Sequence, residues 1–160
     1  MKRAVFVAGG VGINPLMSMV STLEQVKKDS GELGFNIRFL YTTRDPGVSR
    51  IPAEILFLER LQSVFRRLGT EGELRLFLTP GKIDSKKDSV DGVRIGEKSV
   101  SVQKRRITEK DLIDVLGPVD ERPETVCYIC GVPDMTDDFV EKVNKVEGMD
   151  EENILFEKWW

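Results

Sequence analysis

Short apolar runs alternate with longer amphipathic segments along almost the whole chain. The short runs are rich in β-branched and aromatic residues, which is typical of strands buried in a sheet. The longer segments repeat apolar residues at three- and four-residue intervals, which is typical of helices packed on a sheet. The predicted strands are residues 3–8, 35–43, 73–79, 125–130 and 153–157, and the predicted helices are residues 15–28, 52–68, 108–116 and 133–146.

The alternation of strands and helices predicts a doubly wound α/β domain across residues 1–160, with a five-stranded parallel sheet covered on both faces. The third predicted helix has Thr108 as N-cap, with Asp111 at the acidic position of a capping box. A polar insertion without sustained periodicity interrupts the pattern at about residues 81–106. Its eight basic and four acidic residues favour a solvated insertion over a docking loop for an acidic partner.

Composition and charge exclude several classes of function. The chain has no histidine, which excludes Ser-His and Cys-His catalysis and histidine metal sites. A net charge of -3 gives no indication of nucleic-acid binding, and no apolar run approaches the roughly 20 residues of a membrane span. The N-terminal apolar run breaks at glycines, so it predicts a strand rather than a targeting segment.

A glycine-rich loop joins the first predicted strand to the first predicted helix. Glycines at 10 and 12 allow a tight turn and close approach of a ligand to the backbone. The N–H groups and positive dipole end of the following helix suit a pyrophosphate, although a purely structural turn is the alternative. The candidate cofactor-binding residues of this loop are Gly9, Gly10, Val11, Gly12, Ile13, Asn14 and Pro15.

The two cysteines, Cys127 and Cys130, lie an odd number of residues apart in one predicted strand, so they point to opposite faces. This geometry argues against a redox dithiol. Two cysteines without histidine also cannot supply the four ligands of a zinc site, so no metal site is predicted. Cys127 is predicted to be a small buried hydrophobic residue. Cys130 ends the strand, where ligands bind in open α/β sheets, and both a functional and a structural role stay open.

Three segments together resemble a known family: VFVAGGVGINPLMSM, then CGVPDM, then a final strand ending in FEKWW. They resemble the NAD(P)-binding domain of ferredoxin–NADP reductase-type flavoenzymes, in the same order and over nearly the whole chain. The GVGINP and FEKWW motifs, with RRITEKDL, are most similar to the oxidoreductase NAD-binding domain-containing proteins, a mitochondrial-associated branch. The resemblance implies a ferredoxin reductase-like nucleotide-binding domain.

The resemblance also implies roles for single residues. Cys130 would lie near the nicotinamide carbon that gives up hydride, and Glu157 matches a carboxylate close to the nicotinamide. Trp159 matches an aromatic residue that stacks on the flavin and moves aside for the nicotinamide, with stacking worth about 1 kcal/mol. The CGVPDM motif adds Gly131, Val132, Pro133 and Met135 to the predicted cofactor-binding residues.

The chain departs from the family at two positions. Val132 stands where the family has the first proline of its C-G-P-x-x-M motif, and Thr79-Pro80 replaces the serine-arginine pair that often grips the 2′-phosphate of NADPH. The second departure slightly favours NADH as cofactor. Arg44 and Asp45, after the second predicted strand, either contact the adenosine ribose or its phosphate, or form a solvated turn.

The flavin-binding barrel of the family, with its R-x-Y-[ST] motif, is absent from this sequence. FAD is therefore expected only if a flavin-binding domain or a separate flavoprotein supplies it. Three functions stay open: the NAD(P)H half of a flavin-dependent oxidoreductase with an unknown electron acceptor, a stand-alone dinucleotide-binding module, or a structural domain with a vestigial site. The first is preferred because the motif residues for hydride transfer are all present.

Overall fold

The computed structural model describes residues 1–47, 52–80, 92–95 and 98–160. The strands are β1 (Arg3–Gly9), β2 (Asn36–Arg44), β3 (Gly72–Thr79), β4 (Gly92–Ile95), β5 (Lys98–Gln103), β6 (Thr125–Gly131) and β7 (Ile154–Lys158). The helices are α1 (Ile13–Ser30), α2 (Leu58–Leu68), α3 (Glu109–Leu116) and α4 (Pro133–Asn144).

The strands form one sheet in the order β4-β5-β3-β2-β1-β6-β7. Six of these strands are parallel to one another: β5, β3, β2, β1, β6 and β7. Strand β4 pairs antiparallel with β5 at the edge of the sheet. The prediction of five parallel strands was therefore wrong by one. The additional strands β4 and β5 lie within the segment predicted as a polar insertion, while residues 81–91 and 96–97 of that segment lie outside the described residues.

Two apolar layers sandwich the sheet, as the doubly wound pattern predicts. One layer contains Phe6 and Phe39 together with the buried residues of α1 and α2. The other contains Val5 and Val7 together with the buried residues of α3 and α4. Alternate residues of β1 thus enter opposite layers, which is the period-two geometry of a strand buried on both faces.

The order in which strands are added to the sheet reverses at β1, whose other neighbour is the parallel strand β6. From β1 the chain moves outwards through β2, β3 and β5, and it then returns to the other side of β1 to form β6 and β7. The loops that leave β1 and β6 consequently run to opposite faces and separate at the carboxyl ends of these strands. Such a point is where open α/β sheets bind ligands.

Helix α2 begins six residues later than its apolar pattern predicts, at Leu58 instead of Pro52. The preceding residue, Phe57, has a φ of 60° and interrupts the helical backbone. Residues Pro52–Glu54 form only a short 3-10 turn. Side-chain periodicity continues across the interruption, because apolar contacts with the sheet do not require an unbroken helix.

The predicted capping box of α3 is present. The backbone N–H of Asp111 donates to Thr108 Oγ1, and the Thr108 N–H donates to Asp111 Oδ2 at 2.8 Å. Arg105 also donates to both carboxylate oxygens of Asp111, at 2.5 and 2.9 Å. The Arg105 guanidinium, helped by the Thr108 donors, holds the pKa of Asp111 well below its usual range.

We expect Asp111→Asn to lower the free energy of unfolding by about 1 kcal/mol at pH 7, because it removes the charge held by the cap and by Arg105. A carboxyl whose pKa is depressed on folding stabilises the fold above its unfolded pKa of about 3.9, and this stabilisation is lost as the pH falls below that value. The difference in the free energy of unfolding between the wild-type protein and Asp111→Asn, measured by urea denaturation, should therefore be smaller at pH 3 than at pH 7.

Asp138→Asn is the matched control, because Asp138 forms an exposed ion pair with Lys142 on α4. Its effect should stay below about 0.5 kcal/mol. Equal effects of the two substitutions at pH 7 would contradict the role assigned to the cap.

Candidate functional site

A cleft of about 860 Å³ opens at the carboxyl ends of β1, β2, β3 and β6. Helix α4 forms one wall, and the glycine loop after β1 forms part of the floor. Its lining residues are Gly9, Gly10, Val11, Thr42, Thr43, Arg44, Thr79, Arg106, Ile107, Val132, Asp134, Met135, Asp138, Phe139 and Lys142. The cleft thus lies at the topological switch point of the sheet.

The glycine loop forms a 3-10 turn, Gly10–Gly12, that leads directly into α1. Gly10 has a φ of +53°, a conformation that other residues adopt only with strain. A Cβ built on Gly10 meets nothing within 4 Å, so this glycine leaves open space in the cleft. The Asn14 side chain closes the turn by donating to the Val11 carbonyl oxygen at 2.8 Å.

Gly12 packs against β6 and does not line the cleft, whereas the sequence predicted it to be a cofactor-binding residue. It is buried and does not line the cleft. A Cβ on Gly12 would overlap the carbonyl group of Cys130 and approach the Gly131 nitrogen to 2.7 Å. The glycine therefore allows the loop to pack against the backbone of β6.

Six of the predicted site residues line the cleft: Gly9, Gly10, Val11, Arg44, Val132 and Met135. Ile13 is fully buried at the start of α1, and Asp45 accepts a hydrogen bond from the Gly47 N–H at 3.0 Å. The predicted site residues that do not line the cleft are Gly12, Ile13, Asn14, Pro15, Asp45, Cys130, Gly131, Pro133, Glu157 and Trp159.

Sequence reasoning missed more than half of the lining residues. Thr42, Thr43 and Thr79 end strands that were predicted, so the rule on carboxyl ends of strands could have identified them. On α4, the four-residue spacing of Asp134, Asp138 and Lys142 places these residues on one helical face. The residues missed are Thr42, Thr43, Thr79, Arg106, Ile107, Asp134, Asp138, Phe139 and Lys142.

Cys130, Glu157 and Trp159 come together beside the cleft. Cys130 and Glu157 lie opposite each other in the pairing of β6 with β7. The backbone N–H of Trp159 donates to the Gly131 carbonyl oxygen at 2.8 Å. Glu157 Oε1 accepts a hydrogen bond from the Tyr128 hydroxyl at 2.8 Å. Partial burial, assisted by the Glu157 carboxylate, raises the pKa of Tyr128 to about 12, so the phenol stays protonated and remains a donor.

The two cysteines lie in opposite apolar layers, as their odd spacing predicts. Both side chains are completely buried. Burial raises the pKa of Cys127 to about 12, and burial together with the Glu157 charge raises the pKa of Cys130 to about 11. Both thiols are therefore protonated at neutral pH.

We expect the native protein to react negligibly with a disulfide reagent such as dithionitrobenzoate at pH 8, because attack requires an accessible thiolate. Two thiols per chain should react rapidly after unfolding in guanidinium chloride. Cys130→Ala and Cys127→Ala, assayed separately, identify which cysteine accounts for any native reactivity. Rapid reaction of the native Cys130 would contradict its burial.

In the described part of the chain, no helix is long and apolar enough to cross a membrane. The same residues contain no group of three or more cysteines and carboxylates placed to hold a metal ion.

The fold and the cleft define an α/β domain with a parallel sheet, consistent with a Rossmann-like nucleotide-binding fold. Over nearly its whole length, the chain is similar to proteins named oxidoreductase NAD-binding domain-containing protein 1. It is 31% identical over 165 residues to that of Bos taurus, covering 99% of this chain and 46% of the relative. Identity to the Homo sapiens protein is 30% over 165 residues, with the same coverage.

The Xenopus laevis protein of the same name is 30% identical over 166 residues, which cover 98% of this chain and 45% of the relative. The chain thus spans about half the length of the curated relatives it matches. No family model matches the chain. The similarity agrees with the resemblance to the oxidoreductase NAD-binding domain-containing proteins that the motifs indicate.

Proposed function

We propose that the chain is the NAD(P)H-binding half of a flavin-dependent oxidoreductase. The observation that carries the proposal is Gly10, whose positive φ and open Cβ position create a cradle in the cleft at the switch point of the sheet. The name of the relatives, which describes an NAD-binding domain of an oxidoreductase, supports the same function.

The glycine loop fits the pyrophosphate of a dinucleotide. Helix α1 begins at Ile13, directly after the 3-10 turn of the loop, and the Ile13 N–H donates to the Gly10 and Val11 carbonyl oxygens. The loop lies at the positive end of the helix dipole, which attracts an anion. Gly10 and Val11 line the cleft at this point, so the ligand's phosphates would lie against the backbone of the loop.

When bound, NAD(P)H supplies a hydride, and the resemblance assigns FAD on another domain or a separate flavoprotein as its acceptor. Under this proposal Cys130, Gly131 and Glu157 lie near the nicotinamide, and Tyr128 holds the Glu157 carboxylate in place. Trp159 is held through its backbone N–H to the Gly131 carbonyl oxygen, and under this proposal its ring would stack on the flavin, as the resemblance implies. The same resemblance supports a mitochondrial location and leaves the electron acceptor open.

A stand-alone dinucleotide-binding module is the second candidate. It is favoured by the cleft itself, because the glycine loop, the strand ends and α4 together line a space large enough for a ligand. Both functions require dinucleotide binding, and only the first requires hydride transfer.

Calorimetric titration of the purified chain with NADH and with NADPH tests the shared part of the proposal. We expect saturable binding of one molecule per chain to at least one of the two. A folded chain that binds neither dinucleotide would refute the proposed function. Anaerobic stopped-flow measurement on the chain joined to a flavin-binding domain that carries FAD then separates the candidates: flavin reduction by the bound dinucleotide supports the oxidoreductase, and its absence supports the module.

A further inference from the structure

Two arginines face the cleft without an ionic partner. Arg44 ends β2, and Arg106 follows β5; both are exposed and both line the cleft. Across residues 1–47, 52–80, 92–95 and 98–160, neither guanidinium makes a hydrogen bond or ion pair. Their charges are therefore available to a ligand.

The neighbouring arginines on this side of the sheet are already paired. Arg105 donates to both carboxylate oxygens of Asp111 and lies 5.3 Å from the centre of the Phe77 ring. Arg75 pairs with Asp114 at 2.6 Å. Arg44 and Arg106, in contrast, line the same cleft and have no ionic partner among the described residues.

Two carboxylates line the cleft, those of Asp134 and Asp138 on α4, and among the described residues neither forms an ion pair with Arg44 or Arg106. Asp138 is instead paired with Lys142 at 2.6 Å. Asp45, the nearest acid in sequence, is turned to the Gly47 N–H and does not line the cleft. The lining between the two arginines consists of threonines that end β2 and β3.

The order of the strands arranges these groups along the cleft. The glycine loop follows β1, Arg44 follows the adjacent β2, and Arg106 follows β5 beyond β3. With strands about 4.8 Å apart, the arginines lie one to three strand widths from the predicted pyrophosphate site. A ligand with one anionic group at the glycine loop and a second at the arginines would match this arrangement of positive groups.

In Rossmann-like folds, an acid at the end of the second strand binds the ribose 2′-hydroxyl of NAD, whereas an arginine accommodates the 2′-phosphate of NADP. This chain has Arg44 at that position. We propose that Arg44 and Arg106 form a phosphate subsite through which the cleft selects NADPH over NADH. The inference rests on the proposed dinucleotide binding, and it replaces the slight preference for NADH that the absence of a serine-arginine pair suggested.

Calorimetric titration of three variants, Arg44→Gln, Arg106→Gln and Arg66→Gln, tests the subsite. We expect the wild-type chain to bind NADPH at least about tenfold more tightly than NADH, since a phosphate adds nearly two negative charges. Arg44→Gln and Arg106→Gln should each remove most of this difference while changing the affinity for NADH less than about twofold. Arg66→Gln is the control, because Arg66 is an exposed arginine of α2 outside the cleft.

Adenosine 2′,5′-bisphosphate and adenosine 5′-monophosphate probe the 2′-phosphate without the nicotinamide. The bisphosphate should bind more tightly, and its advantage should shrink as salt rises from 50 to 500 mM, because salt screens the arginine charges. Equal affinities for NADPH and NADH, or an NADPH preference that survives both substitutions, would overturn the subsite and leave the proposed function intact. Binding of neither dinucleotide would refute the proposed function itself and the subsite with it.

Discussion

Gly12→Ala is expected to lower the free energy of unfolding by about 3 kcal/mol or more. The added Cβ would overlap the carbonyl group of Cys130, which belongs to the backbone of a central strand and cannot rotate away. Gly12 has ordinary helical dihedral angles, with φ of -60°, so steric overlap and not backbone strain causes the loss. Overpacking a close-packed interior typically costs 1–3 kcal/mol, and contact with a backbone allows little relaxation.

Gly9→Ala is the matched control within the same loop. Its Cβ would approach the Met135 Sδ to 2.5 Å, but a methionine side chain can change rotamer to make room. We expect a loss below about 1 kcal/mol. Urea denaturation followed by circular dichroism measures both variants. Equal stability of Gly12→Ala and the wild-type protein would show that the loop does not need to pack against β6.

Gly10→Asp is expected to weaken binding of the preferred dinucleotide about thirtyfold or more. Asp tolerates the left-handed conformation of Gly10 better than most residues, so the loop should keep its shape. The new carboxylate would project into the open space of the cleft, where the proposal places the pyrophosphate. Two like charges about 8 Å apart at an effective dielectric constant of 20 repel by about 2 kcal/mol, which corresponds to about thirtyfold in affinity.

Gly10→Asn separates charge from shape, because Asn has the same size as Asp and also tolerates this conformation. It should weaken binding much less than Gly10→Asp in the same calorimetric titration. Gly31→Asp controls for the backbone: Gly31 also has a positive φ and an open Cβ position, but it ends α1 away from the cleft. If all three variants bind like the wild-type chain, the pyrophosphate does not occupy the glycine loop.

Helices and strands that bury apolar residues at regular intervals could be predicted from the sequence. The N-cap of α3 could be predicted too, because Thr108 and Asp111 contact each other within four residues. The opposite orientations of Cys127 and Cys130 followed from strand geometry alone. Each of these features depends on neighbours that are close along the chain.

Two features of the fold could not be predicted because they depend on distant residues. Strand β5 is short and polar, yet it pairs with β3 and extends the parallel sheet. Phe57 adopts a positive φ that no local pattern indicates, and it delays the start of α2. Pairing with β3 outweighs the weak strand preference of β5, and Phe57 packs against the apolar layer of α1 and α2.

For this protein, the sequence by itself determined the alternating strands and helices, the glycine loop and the motifs that indicate a dinucleotide site. These depend on local periodicity and on residue types at short spacings. Only the tertiary structure decided that Gly10 faces the cleft while Gly12 packs on β6, and that Arg44 and Arg106 share one cleft without partners. Sequence spacing cannot decide this, because the sheet brings Arg44, at the end of β2, to the same cleft as Arg106, which follows β5, and neither has an ionic partner among the described residues.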